Sequence, residues 1–348
     1  MPKKNLFGYP IQELQDELVA RGESKFRAKQ LFEWIYGKKV YDFDAMTNVS
    51  KAFREVLKEE YCLELPKLYT RQDAKDGTIK LLLEMEDGSK VETVLMRYNY
   101  GNVCCVSSQV GCNMGCAFCA SGLLKRDRNL TAAEMVGEVL ILNQILAEEG
   151  ENVSHIVVMG TGEPFDNYEN VMRFIKLAND PDGLNLGARH ITLSTCGLVP
   201  KIEEFTKEGL QVNLAVSLHA PNDELRKKLM PVAKAYSIEQ LMTACKEYTK
   251  ATNRRITFEY SLLAGVNDTP QCASELVKLL KGGLYHVNLI AMNKVPGTIF
   301  QSASPAKVKQ FRDILESGGI NATIRREMGS DIMAACGQLR RGTIEGTR

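Results

Sequence analysis

Short apolar runs alternate with longer stretches of helical spacing through the second two-thirds of the chain. Seven of the short runs predict strands: VCCVS, HIVVMG, HITLST, VNLAVSL, RITFEY, HVNLIAM and ATIRR. Helical patterns separate these runs, which is typical of parallel βα units. The chain is therefore predicted to have an α/β fold whose parallel strands form a barrel or part of one.

Two smaller elements are predicted before the barrel. Ser24 can cap a helix through KFRAKQLFEWIY that Gly37 would end, and apolar residues recur at helical spacing between positions 53 and 61. The runs TIKLLLEM and VETVLM flank Asp87-Gly88, which is typical of a β-hairpin. We expect a helical accessory domain at residues 1–62, a hairpin and linker at 63–100, and a barrel core with a C-terminal loop at 101–342.

The chain has 348 residues, 44% hydrophobic and 25% charged, with a net charge of +1. This composition supports a sizeable core and excludes a disordered chain or a uniformly basic protein. Contact with a nucleic acid would depend on local basic clusters: KRDR at 125–128, the arginine pairs at 254–255, 325–326 and 340–341, and the N-terminal helix. No segment resembles a signal peptide or reaches about 18 consecutive apolar residues, so we expect a cytoplasmic monomer without a membrane partner.

Five of the ten cysteines fall within CCVSSQVGCNMGCAFC at residues 104–119. In a reducing compartment such clustering indicates metal or redox chemistry rather than a disulfide framework. Cys112, Cys116 and Cys119 have the spacing C-x3-C-x2-C. A structural zinc site takes four ligands and commonly uses C-x2-C pairs, whereas three thiolates can hold a cubane iron–sulfur cluster with one iron open. The spacing favours the cluster over zinc.

Polar residues and glycines follow several predicted strands. These segments are GTGEP at 160–164, STCG at 194–197, SLHA at 217–220 and MNKVPG at 292–297. Active sites of barrels lie at the carboxyl ends of the strands, and CNMGCAFC would lie at the same end. Thr131 and Glu134 form a predicted capping box that begins the next helix.

The cysteine loop, with Phe118 before its third cysteine, resembles the cluster-binding loop of the radical S-adenosylmethionine superfamily, and GTGEP resembles its cofactor-binding motif. The likeness is closer still to one family. VETV, CVSSQVGC, RNLT, GARHITLST, SLHAPND, GVND, TIRRE and DIMAACGQLR resemble the dual-specificity RNA adenine-C2 methyltransferase family, from about residue 5 to residue 342. That family acts on large-subunit (23S) ribosomal RNA and on some transfer RNAs.

The resemblance implies a partial (β/α)6 radical S-adenosylmethionine barrel, a 4Fe-4S cluster, two S-adenosylmethionine molecules per turnover and an electron donor such as flavodoxin or ferredoxin. It implies cluster ligation by Cys112, Cys116 and Cys119. Cofactor contacts are implied for Gly162, Glu163, Ser194, Ser217, Leu218, His219 and Asn293.

Three catalytic residues are also implied by the resemblance. Cys336 would accept a methyl group, which would add to C2 of adenine after hydrogen abstraction by the adenosyl radical. Cys105 would release the product by forming a disulfide with Cys336, and Glu92 would take the C2 proton. Cys104 and Cys105 must face opposite sides of their strand, but parity alone does not say which one faces the barrel. A radical route suits C2 because this electron-poor carbon is not a nucleophile.

Some alternatives stay open at this point. Thr161 replaces the methionine of many family members, and MNKVPGTIFQSASP departs from the family pattern, which leaves the shape of the substrate pocket open. A C8 methyltransferase of the antibiotic-resistance type uses the same cysteines, but SQVGC at 108–112 in place of SQCGC favours C2. A cluster-bearing redox sensor or RNA-binding module is a third possibility, against which GTGEP, SLH and Cys336 argue. On residue type alone, Glu92 would be solvated and His219 a core histidine. The cysteines at 62, 196, 245 and 272 are predicted to be structural.

Overall fold

A ten-stranded mixed sheet organises the chain in the computed structural model, which describes residues 3–123, 125–293, 295, 297–334 and 337–339. The strands are β1 Lys4–Asn5, β2 Tyr61–Cys62, β3 Lys67–Asp73, β4 Ile79–Glu84, β5 Lys90–Tyr98, β6 Gly101–Cys105, β7 Gln109–Val110, β8 Arg128–Asn129, β9 Val153–Val158, β10 Ile191–Thr195, β11 Asn213–Ser217, β12 Ile256–Leu262, β13 Tyr285–Ala291 and β14 Ala322–Ile324. The α-helices are α1 Ile11–Ala20, α2 Phe26–Phe32, α3 Lys51–Glu60, α4 Ala132–Ala147, α5 Tyr168–Asn179, α6 Val199–Lys207, α7 Asp223–Leu229, α8 Ile238–Thr252, α9 Pro270–Leu280 and α10 Pro305–Ser317.

The parallel part of the sheet confirms the predicted α/β barrel. Its order is β6-β9-β10-β11-β12-β13-β14, and each neighbouring pair is parallel. All seven predicted strand segments are present, and helices connect them as six successive βα units followed by β14. Among the described strands, β14 pairs only with β13, so the barrel is open on the side between β14 and β6.

Alternation along the parallel strands separates an apolar outer face from a polar inner face. In β10, Ile191 and Leu193 are buried in the core beneath the helices, while Thr192 and Ser194 line internal cavities. Apolar burial under the surrounding helices stabilises the sheet from outside. The inner face is therefore available for ligands rather than filled by a second apolar core.

The predicted hairpin extends the sheet on the β6 side. β4 and β5 are antiparallel with Glu84 opposite Lys90, and Gly88 in the turn has φ of +79°. β5 pairs with β6, so the hairpin continues directly into the barrel sheet. This register is fixed by the Asp87-Gly88 turn and decides which hairpin side chains face the barrel opening.

The N-terminal region packs against α4 through Leu6 and Phe7, which are fully buried and lie in a short 3₁₀ turn before α1. The predicted capping box of α4 is confirmed, because Thr131 and Glu134 bond to each other's backbone N–H groups. The helix predicted to end at Gly37 does end there: beyond Phe32 it continues in wider π-type turns to Gly37, and the left-handed residue that follows is Lys39, with φ of +56°. In the described part of the chain, every helix falls short of the length and apolarity needed to span a membrane.

Candidate active site

The cysteine loop leaves the sheet after β7 and is held by backbone hydrogen bonds at both ends. The N–H of Ala117 donates to the carbonyl of Leu229 at 2.9 Å, and the N–H of Ala120 donates to the carbonyl of Gly337 at 2.8 Å. A side chain at Gly122 would lie 2.7 Å from the carbonyl oxygen of Cys116, so only glycine lets this turn pack on the loop. The loop therefore contacts α7 on one side and the C-terminal segment on the other.

The three cysteines line one cavity at the carboxyl ends of the parallel strands. This cavity holds about 1000 Å³ of space, part of it open to solvent. Its wall includes Cys112, Cys116 and Cys119 together with the ends of β9 to β13. The placement agrees with the expectation that the chemistry lies at this end of the barrel.

The donor set of this cavity fits an iron–sulfur cluster better than a single metal ion. Within the described residues, no three His, Cys, Asp or Glu side chains converge closely enough to bind one ion, as zinc requires. Three thiolates that each bind a different iron of a cubane need no such convergence. Burial raises the pKa of the Cys112 thiol to about 12 and also raises that of Cys116. Iron coordination would stabilise the deprotonated form of these thiols in a cavity wall that is otherwise partly apolar, with Met230 among its residues.

Gly162 and Glu163 lie opposite the cysteine loop at the end of β9. Gly162 has φ of +112°, and a Cβ there would lie 2.7 Å from the side chain of Gln109, so the position requires glycine. The Glu163 carboxylate is buried and accepts hydrogen bonds from Thr195 Oγ1 and the Cys196 N–H, both at 2.7 Å. Burial raises the pKa of Glu163. Its carboxylate thus fixes the end of β10, a positioning role that the sequence did not indicate.

We predict that Glu163→Ala weakens S-adenosylmethionine binding by about tenfold or more while iron content stays the same. The carboxylate holds the backbone of β10 beside Ser194, and the cluster loop is held separately by Ala117 and Ala120. Iron analysis and equilibrium dialysis of the reconstituted protein measure the two quantities. Glu208→Ala, a partly exposed acid outside the cavity, is the control. Parallel loss of iron and cofactor would show that Glu163 stabilises the whole site.

The other predicted cofactor residues fall on neighbouring strand ends. Ser194, Ser217, His219 and Asn293 line the cavity. The Leu218 side chain instead lies in the apolar core, and its N–H donates to the Glu259 carbonyl at 3.1 Å. Leu218 can therefore contribute to the cavity only through its backbone.

His219 is both a buried histidine with a satisfied ring nitrogen and a cavity residue. Its Nδ1 accepts from the Ser261 N–H at 2.9 Å, and Phe118 of the cysteine loop packs edge-on at 4.8 Å. Burial lowers the pKa of His219 to about 3, so the ring is neutral with its proton on Nε2. The Nε2–H of His219 is thus an uncharged hydrogen-bond donor in the wall of the cavity.

The two adjacent cysteines of β6 face opposite sides of the sheet. Cys104 is fully buried beneath the helices, where burial raises the pKa of its thiol, and its Sγ lies 3.9 Å from Thr93 Oγ1. Cys105 faces a second cavity, which also borders Met159, Asn293 and Arg325 of the first cavity. The structure therefore places Cys105, and not Cys104, toward the open barrel.

Cys336 lies outside the described residues, but the chain on either side of it reaches these cavities. Ala334 is buried in a small apolar cluster with Cys105, and Gly337 lines the cysteine cavity. The described residues before and after Cys336 thus reach the Cys105 cavity and the cysteine cavity.

Glu92 faces the barrel opening on the same side of β5 as Val94. It is 9% exposed and forms an ion pair with Lys80 at 3.2 Å, so it is not the solvated glutamate typical of a strand. Lys80 Nζ also donates to the carbonyl of Met333 at 3.3 Å. This lysine was not identified from the sequence, although the hairpin register makes it a diagonal neighbour of Glu92.

Two further residues in or behind the cysteine cavity were not predicted from the sequence to belong to the site. Cys196, predicted to be structural, lines the cysteine cavity, and its N–H binds Glu163. Arg226 is fully buried behind the cavity and donates to the carbonyls of Cys196 and Ser217 at 2.6 and 3.2 Å. Both roles depend on contacts between separate strand ends, for which the sequence carries no local signal.

Comparisons with known proteins agree with this geometry. Residues 106–277 match the model of the radical SAM superfamily, and residues 4–63 match the N-terminal domain of ribosomal RNA large subunit methyltransferases. A crystal structure of a radical SAM methyltransferase from Sphaerobacter thermophilus has a TM-score of 0.92 and 46% identity, covering 97% of this chain and 99% of that one.

Curated relatives give a narrower similarity. A protein of Spiroplasma citri is 54% identical over 336 residues, covering 97% of each chain, and one of Thermoanaerobacter sp. is 54% identical over 338 residues, covering 97% of this chain and 98% of that one. Both carry the name "Probable dual-specificity RNA methyltransferase RlmN". The fold and the three-cysteine cavity thus define a radical S-adenosylmethionine enzyme. Within that class, the chain belongs to the RlmN family of RNA methyltransferases.

Proposed function

We propose that this enzyme methylates C2 of an adenosine in 23S ribosomal RNA, and of adenosine in transfer RNA, through a methylated cysteine. The observation that carries the proposal is the position of Cys105. It borders a cavity that shares Met159 and Asn293 with the cysteine cavity, and described residues on either side of Cys336 line these two cavities. Two thiols that must react with each other, with a base between them, need this kind of shared enclosure.

Cys112, Cys116 and Cys119 would hold the cluster, and Gly162, Ser194, Ser217, His219 and Asn293 would orient S-adenosylmethionine beside it. When bound, these groups supply the methyl group and the radical chemistry that an unreactive C–H bond requires. The neutral Nε2–H of His219 offers a donor without adding positive charge near a sulfonium cofactor.

The remaining steps fall to side chains on the opposite wall. Cys336 would carry the methyl carbon to the base, and Glu92 would accept the C2 proton. Loss of the C2 proton, with one electron returning to the cluster, would leave a closed-shell thioether. Attack of the Cys105 thiolate on the Cys336 sulfur would then form a disulfide and break the sulfur–carbon bond, and the released carbon would take up a proton to become the methyl group on the RNA. Lys80 would hold Glu92 in place through their ion pair and fix the C-terminal segment at Met333.

Nucleoside analysis by mass spectrometry tests the proposal directly. RNA from cells with and without this gene is digested, and 2-methyladenosine is expected only in the former, in ribosomal RNA and in a subset of transfer RNAs. Finding 8-methyladenosine instead would assign the C8 reaction, and finding neither product in RNA from expressing cells would contradict the proposal.

We predict that Glu92→Gln lowers the rate of product formation by about a hundredfold or more, because a general base contributes roughly 10²–10⁴-fold. Methylation of Cys336 should be unchanged, since that step needs no proton acceptor at C2. Single-turnover product analysis and the intact mass of the protein separate the two steps. The control is Glu84→Gln, which removes the acid of the more exposed Glu84–Lys90 pair on the same hairpin. Equal rates for the two variants would remove Glu92 from the mechanism.

A further inference from the structure

Five arginines from three separate segments meet at the open side of the barrel. They border a third cavity of about 1640 Å³, part of it open to solvent, which we call the arginine basin: Arg189, Arg254, Arg255, Arg325 and Arg326. Its floor is the inner face of the strands, with polar side chains such as Thr192 and Asn288. The basin runs from the amino ends of β10 to β12, where Arg189 and Arg254 lie, to Met159 and Arg325 beyond the carboxyl ends of β9 and β14.

The basin carries an excess of positive charge that protein carboxylates do not cancel. Within the described residues, no carboxylate oxygen lies within 4.0 Å of Arg189, Arg254 or Arg255, and Arg254 bonds instead to the neutral side chains of Gln211 and Asn213. The acid in the wall is Glu259, which is 5% exposed.

Glu259 is also already engaged. Both of its oxygens accept from Asn288 Nδ2, at 2.9 and 3.2 Å, and Arg325 lies 3.9 Å away. Burial raises the pKa of Glu259, which further weakens it as a counter-charge for the other arginines. An anionic ligand would therefore meet guanidinium groups whose positive charge is mostly not compensated by protein carboxylates.

An aromatic pair stands at the edge of the basin. The rings of Tyr98 and Tyr100 are stacked with centroids 4.9 Å apart and planes 10° apart, and Tyr100 is 61% exposed. An exposed, pre-ordered aromatic ring beside guanidinium groups is the combination that single-stranded nucleic acids bind, since bases stack on the ring while the backbone follows the charges.

The basin is connected to the reacting thiols. Met159 and Arg325 border the basin, the Cys105 cavity and the cysteine cavity, and Arg325 Nη1 lies 3.8 Å from Met159 Sδ. Only these two side chains are shared by all three. A nucleotide chain lying in the basin would thus be separated from the Cys105 cavity by the flexible Met159 and by Arg325.

We propose that the arginine basin binds the phosphodiester backbone of the unpaired RNA nucleotides adjoining the target adenosine, with one neighbouring base stacked on Tyr100. The RNA would then enter from the open side of the barrel rather than over the rim that holds the cofactor. This inference rests on the proposed RNA substrate. The spread of the charges over three chain segments favours several phosphates over one free anion.

The test measures binding of a fluorescein-labelled RNA stem-loop to the anaerobic holoenzyme at several salt concentrations. The double variant Arg189→Ala/Arg255→Ala should weaken RNA binding about tenfold. It should also make the negative slope of log K against log salt shallower by about 1.4, because each single-strand phosphate contact contributes about 0.7. The matched control, Lys278→Ala/Lys309→Ala, removes two exposed cations from the outer helices α9 and α10 and should bind like wild type. Tyr100→Ala should weaken binding about tenfold and Tyr100→Phe should restore it.

Each other result overturns the inference. Arginine variants that match the lysine control, in both affinity and salt slope, would place the RNA elsewhere. If ATP binds wild type with micromolar affinity, and the arginine variant loses ATP but keeps RNA, the basin is a nucleotide site. Normal RNA methylation and binding in the variants would leave the proposed function standing, whereas wild-type holoenzyme that cleaves S-adenosylmethionine but neither binds nor modifies any RNA would remove both.

Discussion

Replacing Cys105 with alanine is expected to stall the enzyme as a covalent adduct of protein and RNA. Methylation of Cys336 and addition to the base need no second thiol, but release does. The adduct should run as a band of raised mass on a denaturing gel, which nuclease digestion reduces to a small residual shift. Product formation should fall to background.

Two companion variants make this experiment specific. Cys336→Ala should also abolish product but leave the RNA free, because no carbon bridge can form. Cys104→Ala should turn over normally, since its thiol lies beneath the helices with Thr93 and has no contact with the cavities. Normal turnover of Cys105→Ala would remove its resolving role, and an adduct in Cys104→Ala would transfer that role to the buried neighbour.

Replacing Cys119 with alanine is expected to abolish cluster assembly and all cleavage of S-adenosylmethionine. Anaerobically reconstituted wild type should contain about four irons per chain and show the brown absorbance of a cubane cluster. The variant loses one of three ligands in a loop whose other contacts persist, so its fold should be retained. Circular dichroism and iron analysis check these two points.

Cys62→Ala provides the control for this variant, because Cys62 lies on β2 in the N-terminal region, away from the cysteine cavity. It should keep the full iron content and activity. Tight binding of one zinc per chain by wild type, with no iron–sulfur absorbance, would contradict the cluster and with it the radical route.

Much of the fold could be predicted because its signals are local. Seven apolar runs between helical patterns were sufficient to predict the parallel strands, and the Asp87-Gly88 turn was sufficient to predict the hairpin. The cysteine spacing likewise predicted three cluster ligands without knowledge of the fold, and the structure places all three in one cavity. The helix through Phe32 ends at Gly37 as expected, but the left-handed residue after it is Lys39 rather than the glycine, which no local signal indicates.

The arrangement of the site depended more on tertiary structure. Which of the two β6 cysteines faces inward is settled by the pairing of Cys105 with Val94 and Val157, a matter of strand order. The Lys80–Glu92 pair could have been inferred from the hairpin register, since Leu82 lies opposite Glu92. The arginine basin could not, because its members come from segments more than sixty residues apart that only the curvature of the sheet brings together.

The polar inner face of the parallel strands has a consequence for heat stability. Closed barrels are filled by layers of branched apolar side chains, which support the sheet from inside. Here Thr192, Ser194 and Ser217 stand at such positions, so the sheet is supported mainly by its outer helices. Any ligand that fills the interior binds the folded chain alone and raises its melting temperature in proportion to the logarithm of ligand concentration. The unloaded enzyme should therefore melt well below the enzyme with cluster and cofactor bound, and the barrel strands should account for the difference in hydrogen exchange.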